Sequence, residues 1–173
     1  MAFLCAPGIA QLQHDSAFNR IAALGDLDGD GKADIVWRNT STGENYVYFM
    51  NGLTITSQGY LPTVTTDWTI AGLGDLDGDG KVDIVWRNTS SGNNYAYLMN
   101  GLAITSQGYF AAQPPAWAVA AVADYDGDGK ADIVWRNSVT GEDMIVFMDG
   151  LTPKAGSGAI PTVPLDWQIV NGR

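Results

Sequence analysis

Cysteine is almost missing from this 173-residue sequence, with Cys5 the only one. A single thiol rules out an intrachain disulfide framework and a thiolate metal cluster. Histidine is as scarce: His14 stands alone in a leader that aligns with nothing else in the chain. A Ser-His-Asp or Cys-His arrangement therefore has no repeated base to draw on. Positive charge is thin, 9 Lys and Arg against 19 Asp and Glu, for a formal net charge of −10. Such a chain offers no basic surface to nucleic acid. No apolar run reaches the ~20 residues of a membrane-spanning helix. The apolar N-terminus has no positive n-region and too short a hydrophobic stretch for a signal peptide, so it reads as mature sequence.

What the chain has instead is core-forming residues and a repeat. It is 46% hydrophobic with six tryptophans, which excludes a disordered polymer and gives a single domain enough apolar surface to bury. The stretch DLDGDGKADIVWRN begins at Asp26, returns as DLDGDGKVDIVWRN at Asp75 and as DYDGDGKADIVWRN at Asp124, a period of 49 residues. A fixed period of this length marks an array of structural repeats.

Each copy sets aspartates at relative positions 1, 3, 5 and 9, with glycine at 4 and 6. The residues are Asp26, Asp28, Asp30 and Asp34, then Asp75, Asp77, Asp79 and Asp83, then Asp124, Asp126, Asp128 and Asp132. Alternate carboxylates in a tightly turned loop converge on one point, and hard oxygen donors at that spacing suit Ca2+, about three ions per chain. Glycine at position 6 permits the sharp turn. Position 7 (Lys32, Lys81 and Lys130) is expected to offer its backbone carbonyl while the ammonium points outward. Position 9 closes the site directly or through a water. These loops hold most of the chain's acids, and three divalent ions would cancel more than half of its net charge. A merely solvated turn has no need of carboxylates held in register, since unneutralised they repel. An EF-hand is excluded. It wants a bidentate Glu at position 12 leading into a helix, where this chain has Trp37, Trp86 and Trp135 within an Ile-Val-Trp-Arg strand.

Residues 1–18 form a leader or extra strand outside the repeat, which then divides at about 19–67, 68–116 and 117–165. In the second unit, residues 68–73 read as a first strand leading into the acidic loop, 84–87 as a second, 94–99 as a third and 102–107 as a fourth. Asn100-Gly101 reads as a two-residue type I′ hairpin turn. Four short strands per repeat predict an all-β fold, a β-propeller built of four-stranded blades. The third strand is bulky on both sides. Val47/Phe49, Ala96/Leu98 and Ile145/Phe147 lie on one face, and Tyr46/Tyr48, Tyr95/Tyr97 and Met144/Val146 on the other. Blades stacked side by side and buried on both faces have this pattern. The third unit drifts at 152–158, and residues 166–173 match the opening strand of a further blade. Three blades with a spare C-terminal strand ask for closure by homo-oligomerisation. Two chains would make six blades, within the usual 4–8 of closed rings, and would cover two apolar faces and an open sheet edge.

The D-x-D-G-D-G-K-x-D loop running into I-V-W-R-N, with the M-N/D-G hairpin and the D-W-x-I strand, resembles the bacterial VCBS/FG-GAP-type repeat. That repeat belongs to the same broad group as the calcium-bearing blades of integrin α-subunit propellers. The resemblance spans most of the chain after the leader. It implies an extracellular or cell-surface, non-catalytic binding or scaffolding module whose calcium ligands are the aspartates named above. The Gly-Ala-Pro element of the eukaryotic repeats is absent, so integrin-like ligand recognition is not implied. One alternative is a lectin-like, carbohydrate-binding propeller using Tyr46, Tyr48, Tyr95 and Tyr97 as platforms, against which stands their packing between blades. Another is a polysaccharide-acting enzyme, which needs a non-repeated acid or base in a central basin. Trp37, Trp86 and Trp135 read as core. Arg38, Arg87 and Arg136 read as pairing with a carboxylate or a strand carbonyl. The expected partners are a second copy and a glycan or protein ligand, with no nucleic acid and no membrane insertion.

Overall fold

The computed structural model describes residues 19–169. The leader, with Cys5 and His14, and residues 170–173 lie outside the described residues. The described residues form three four-stranded antiparallel sheets and one two-stranded hairpin beside the third, with no helix. Blade one comprises β1 (Asn19–Gly25), β2 (Asp34–Asn39), β3 (Asn45–Asn51) and β4 (Thr54–Leu61). Blade two comprises β5 (Trp68–Gly74), β6 (Asp83–Asn88), β7 (Asn94–Asn100) and β8 (Ala103–Phe110). Blade three comprises β9 (Trp117–Ala123), β10 (Asp132–Asn137), β11 (Asp143–Val146), β12 (Met148–Asp149), β13 (Thr152–Pro153) and β14 (Gly158–Ile160). In blades one and two, strands adjacent in sequence are adjacent in the sheet, the up-and-down meander of a propeller blade.

The blades stack face to face. Val36, Val47 and Phe49 of blade one pack with Ile84, Trp86 and Met99 of blade two. On the far side of blade two, Val85, Ala96 and Leu98 pack with Ile133, Trp135 and Met148 of blade three. Blade two is therefore covered on both sides, and every residue of β6 is buried, whereas β2 alternates between buried and half-buried. Strands β1, β5 and β9 lie innermost and enclose a groove of ≈ 370 Å³ lined by residues such as Ala22, Ala71, Leu73, Ala121, Val122 and Tyr125.

Register breaks recur at matching places. Thr56 and Thr105 are the extra residues where β4 and β8 slip against β3 and β7. Each Thr hydroxyl donates across the bulge, to the carbonyls of Phe49 (3.1 Å) and Leu98 (3.0 Å), restoring a bond that the slip removes.

Two expectations need correction, at the hairpin turn and at residues 166–169. The hairpin loop is Gly101-Leu102 rather than Asn100-Gly101, because Asn100 still pairs with Ala103. Only Gly101 has positive φ, at 61°, with no non-glycine residue in that region. Glycine at the first central position suits a type II′ turn, and the leucine after it is carried to the tip. In blade three the outer strands are broken where the sequence leaves the repeat at 152–158. Pro153 cannot donate to a ladder, and Lys154 N–H reaches back to Phe147 O at 2.8 Å, turning the chain out before β14. Finally, residues 166–169 are not strand. Among the described residues no strand pairs with them.

Candidate metal centres

Each acidic loop is an elbow between a blade's first and second strands, and two glycines with positive φ shape it (Gly78 at 83° and Gly80 at 86° in blade two). Their N–H groups turn inward onto the first aspartate: Gly78 and Gly80 each donate at 2.7 Å to Asp75. The same bonds form from Gly29 and Gly31 to Asp26 and from Gly127 and Gly129 to Asp124. The loop is thereby wound around its position-1 carboxylate before any ion is considered.

Positions 1, 3 and 9 converge. Ligand oxygens of Asp26, Asp28 and Asp34, of Asp75, Asp77 and Asp83, and of Asp124, Asp126 and Asp132 each lie within 4.8 Å of one another. Position 9 is the buried member, at 1% exposure or less in all three copies. Its carboxylate is also a brace. One oxygen of Asp83 accepts from Leu76 N–H and the other from Met99 N–H, both at 2.8 Å, tying the loop's start to the third strand. Asp34 does the same with Leu27 and Met50, and Asp132 with Tyr125 and Met148. Burial, reinforced by the neighbouring charges of Asp77 and Asp75 and opposed by those two N–H bonds, pushes the Asp83 carboxyl up to about 7. Burial raises Asp34 as well. A buried carboxylate beside two others is a group that a bound cation would discharge.

Position 5 lies outside these triads. Asp30 and Asp79 instead accept the backbone N–H of Lys32 and Lys81, at 2.9 Å in each case. The lysine ammonium also differs from expectation. Lys32 Nζ folds back to Asp30 at 2.6 Å and Lys81 Nζ to Asp79 at 3.1 Å, so neither simply points outward. Blade three differs again: Lys130 pairs with Asp149, and Asp128 and Asp126 are bridged by Lys154 Nζ at 2.5 and 2.8 Å. Those two carboxylates hold the Lys154 ammonium well above the usual lysine range. Lys154 comes from the drifted stretch of the fourth strand, and no repeat pattern announces it.

The donor set is all oxygen, three carboxylates per loop, and in blades one and two no side-chain cation among the described residues pairs with positions 1, 3 or 9. These residues fit a hard divalent ion.

The arginines after the tryptophans do structural work. Arg87 Nη1 donates to Gly92 O (2.7 Å) and Asn94 Oδ1 (2.9 Å), and Nη2 to the carbonyls of Gln113, Pro114 and Trp117 at 2.8–3.0 Å. It thus grips the linker leading into the next blade while lying 5.1 Å over the Trp135 ring. Arg38 repeats the arrangement with Val64, Thr65 and Trp68 and lies 5.1 Å over Trp86. Arg136 holds Val163, Pro164 and Trp167 and pairs with Asp143 at 2.7 Å. The expectation of carbonyl or carboxylate pairing holds. Trp86 and Trp135 are buried core residues, and Trp37 is half-buried.

Comparison with known families matches the FG-GAP-like repeat at residues 26–86 and again at 75–135, and the FG-GAP repeat at 116–159. No curated protein matches the chain. The two FG-GAP-like matches run from one acidic loop to the tryptophan of the next Ile-Val-Trp-Arg strand, so each spans a blade seam seen in the structure. With more than half its length matched in this way, the chain belongs to the FG-GAP repeat family and forms a β-propeller-like module.

Proposed function

We propose that this chain is a calcium-stabilised, non-catalytic propeller module that works as a binding or scaffolding unit outside the cell. The observation that carries the reading is the threefold recurrence of a carboxylate triad whose position-9 member is buried and braced in every copy. Asp26, Asp28 and Asp34 and their equivalents would hold the ion, which supplies charge neutralisation and a fixed loop. Extracellular modules of this kind bind at about 10⁻⁴–10⁻³ M, which suits a calcium-rich compartment.

The aromatic side chains favour scaffolding over glycan capture, because Tyr95 and Tyr97 pack within the seam between blades one and two. Among the described residues the central groove is lined by aliphatic residues and glycine apart from Tyr125, with no carboxylate pair to act on a glycosidic bond.

Asp28→Ala removes one ligand from the first loop. At a hundredfold excess of calcium over Kd, one site contributes about 2.7 kcal/mol, so Tm in calcium should fall by about 5–10 °C. Thermal unfolding followed by circular dichroism should show little change in chelator. Equal losses in both conditions would undo the metal assignment.

Lys154 makes the third loop the weakest. Its ammonium must leave Asp126 and Asp128 before an ion can settle, so calorimetric titration should resolve two tighter sites and one weaker. Lys154→Met should strengthen the third by about tenfold, the scale of one near-surface charge competition. Three equal sites in the unaltered chain would contradict this.

A further inference from the structure

The two seams inside the chain are built to one plan, and the chain's end blades each display one half of it. Blade-two and blade-three backbone donates to the preceding loop: Val82 and Gly101 N–H to the carbonyls of Asp26 and Leu27, Ala131 and Gly150 N–H to those of Asp75 and Leu76. The leucine at each type II′ turn is a knob. A Cβ at Gly59 would sit 2.4 Å from Leu102 of the next blade, and one at Gly108 would sit 3.1 Å from Leu151. Both glycines lie opposite the same position of the third strand, Gly59 opposite Val47 and Gly108 opposite Ala96.

The unmatched halves lie at opposite ends. Leu53, the knob of blade one, is fully exposed. By pairing register the socket of blade three is Gly158, opposite Ile145, and a Cβ there would meet nothing within 4 Å. Among the described residues, Asp124 and Tyr125 carbonyls lack the inter-blade donors that their counterparts have, and Ala33 and Gly52 N–H lack the acceptors. Among the described residues Arg136 lies over no aromatic ring, while Trp37, the counterpart of Trp86 and Trp135, has no arginine over it.

We infer that the open face of blade three receives the open face of blade one from a second copy of this chain, with Leu53 of the partner seated on Gly158 and Trp37 of the partner beneath Arg136. The interface is head-to-tail, a third seam in the register of the two internal ones, and two copies close into a ring of six blades. These contacts are set by blade geometry and are independent of any bound ion.

The test uses two surface substitutions that leave each blade's own packing alone. Leu53→Asp spoils the knob and Gly158→Phe fills the socket. The unaltered chain should run as a dimer by light scattering on a sizing column, and each variant alone as a monomer, with an unchanged circular dichroism spectrum. Mixing the two variants should restore a heterodimer, because one chain keeps a sound socket and the other a sound knob. A monomeric unaltered chain would overturn the proposal and leave both faces to be covered by other blades. A dimer abolished by Leu53→Asp but indifferent to Gly158→Phe would overturn it too, since that is the signature of two identical faces meeting.

Discussion

Gly92→Ala should destabilise the chain by roughly 3 kcal/mol or more, the sum of a left-handed backbone penalty and a steric overlap. Gly92 has φ of 80°, and a Cβ on it would lie 2.2 Å from the carbonyl oxygen of Gln113. The oxygen cannot step aside. Gln113 N–H donates to Gly92 O at 2.9 Å, and Arg87 Nη2 holds the same Gln113 carbonyl at 3.0 Å. The turn after the second strand and the linker to the next blade therefore meet backbone to backbone. Gly31 is the control: its φ is 82°, but a Cβ there meets nothing within 4 Å, so Gly31→Ala in chelator should cost only about 1–2 kcal/mol. Urea midpoints at fixed slope measure both. Equal losses would show that conformation alone matters at Gly92.

The second large effect is expected at Arg87. Arg87→Ala should cost roughly 3–5 kcal/mol, because one buried guanidinium holds a turn, a third-strand side chain, two linker carbonyls and the first carbonyl of β9, and its loss leaves those acceptors without their donor. Arg87→Lys should recover little. An ammonium cannot reach five acceptors spread on both sides of a planar fork, nor lie flat on the Trp135 ring. Denaturant unfolding of the two variants separates the explanations. Full rescue by lysine would mean that charge alone is required, and a loss below about 1 kcal/mol on truncation would remove the clamp from the account.

Much of this was legible in the chain. The 49-residue period and the alternating aspartates located the loops, and the strand pattern of blades one and two placed their elements to within a few residues, because both signals are local and repeated. What escaped the reading is made by long contacts. Asp83 meets Met99 N–H and Arg87 meets Trp117 O far along the chain, so no short motif announces the brace or the clamp. Lys154 escaped because it falls where blade three abandons the repeat. The hairpin shifted by one residue because an Asn-Gly pair fits two turn registers, and the pairing of Asn100 with Ala103 decides between them. A strand was expected at 166–173 from its match to Trp68 and its neighbours, but strand conformation is held by a neighbouring strand, and among the described residues none lies beside 166–169.

The burial of β6 on both faces, against one face for β2, has a consequence for how the chain comes apart. A row of like units joined only to their neighbours behaves as a one-dimensional lattice, in which each unit's stability is its own plus that of the contacts beside it. Within a single copy, and among the described residues, the middle unit has two such contacts and the outer ones one each. When a single copy stands alone, opening therefore begins at the outer blades and moves inward, and blade two is the last to lose its structure.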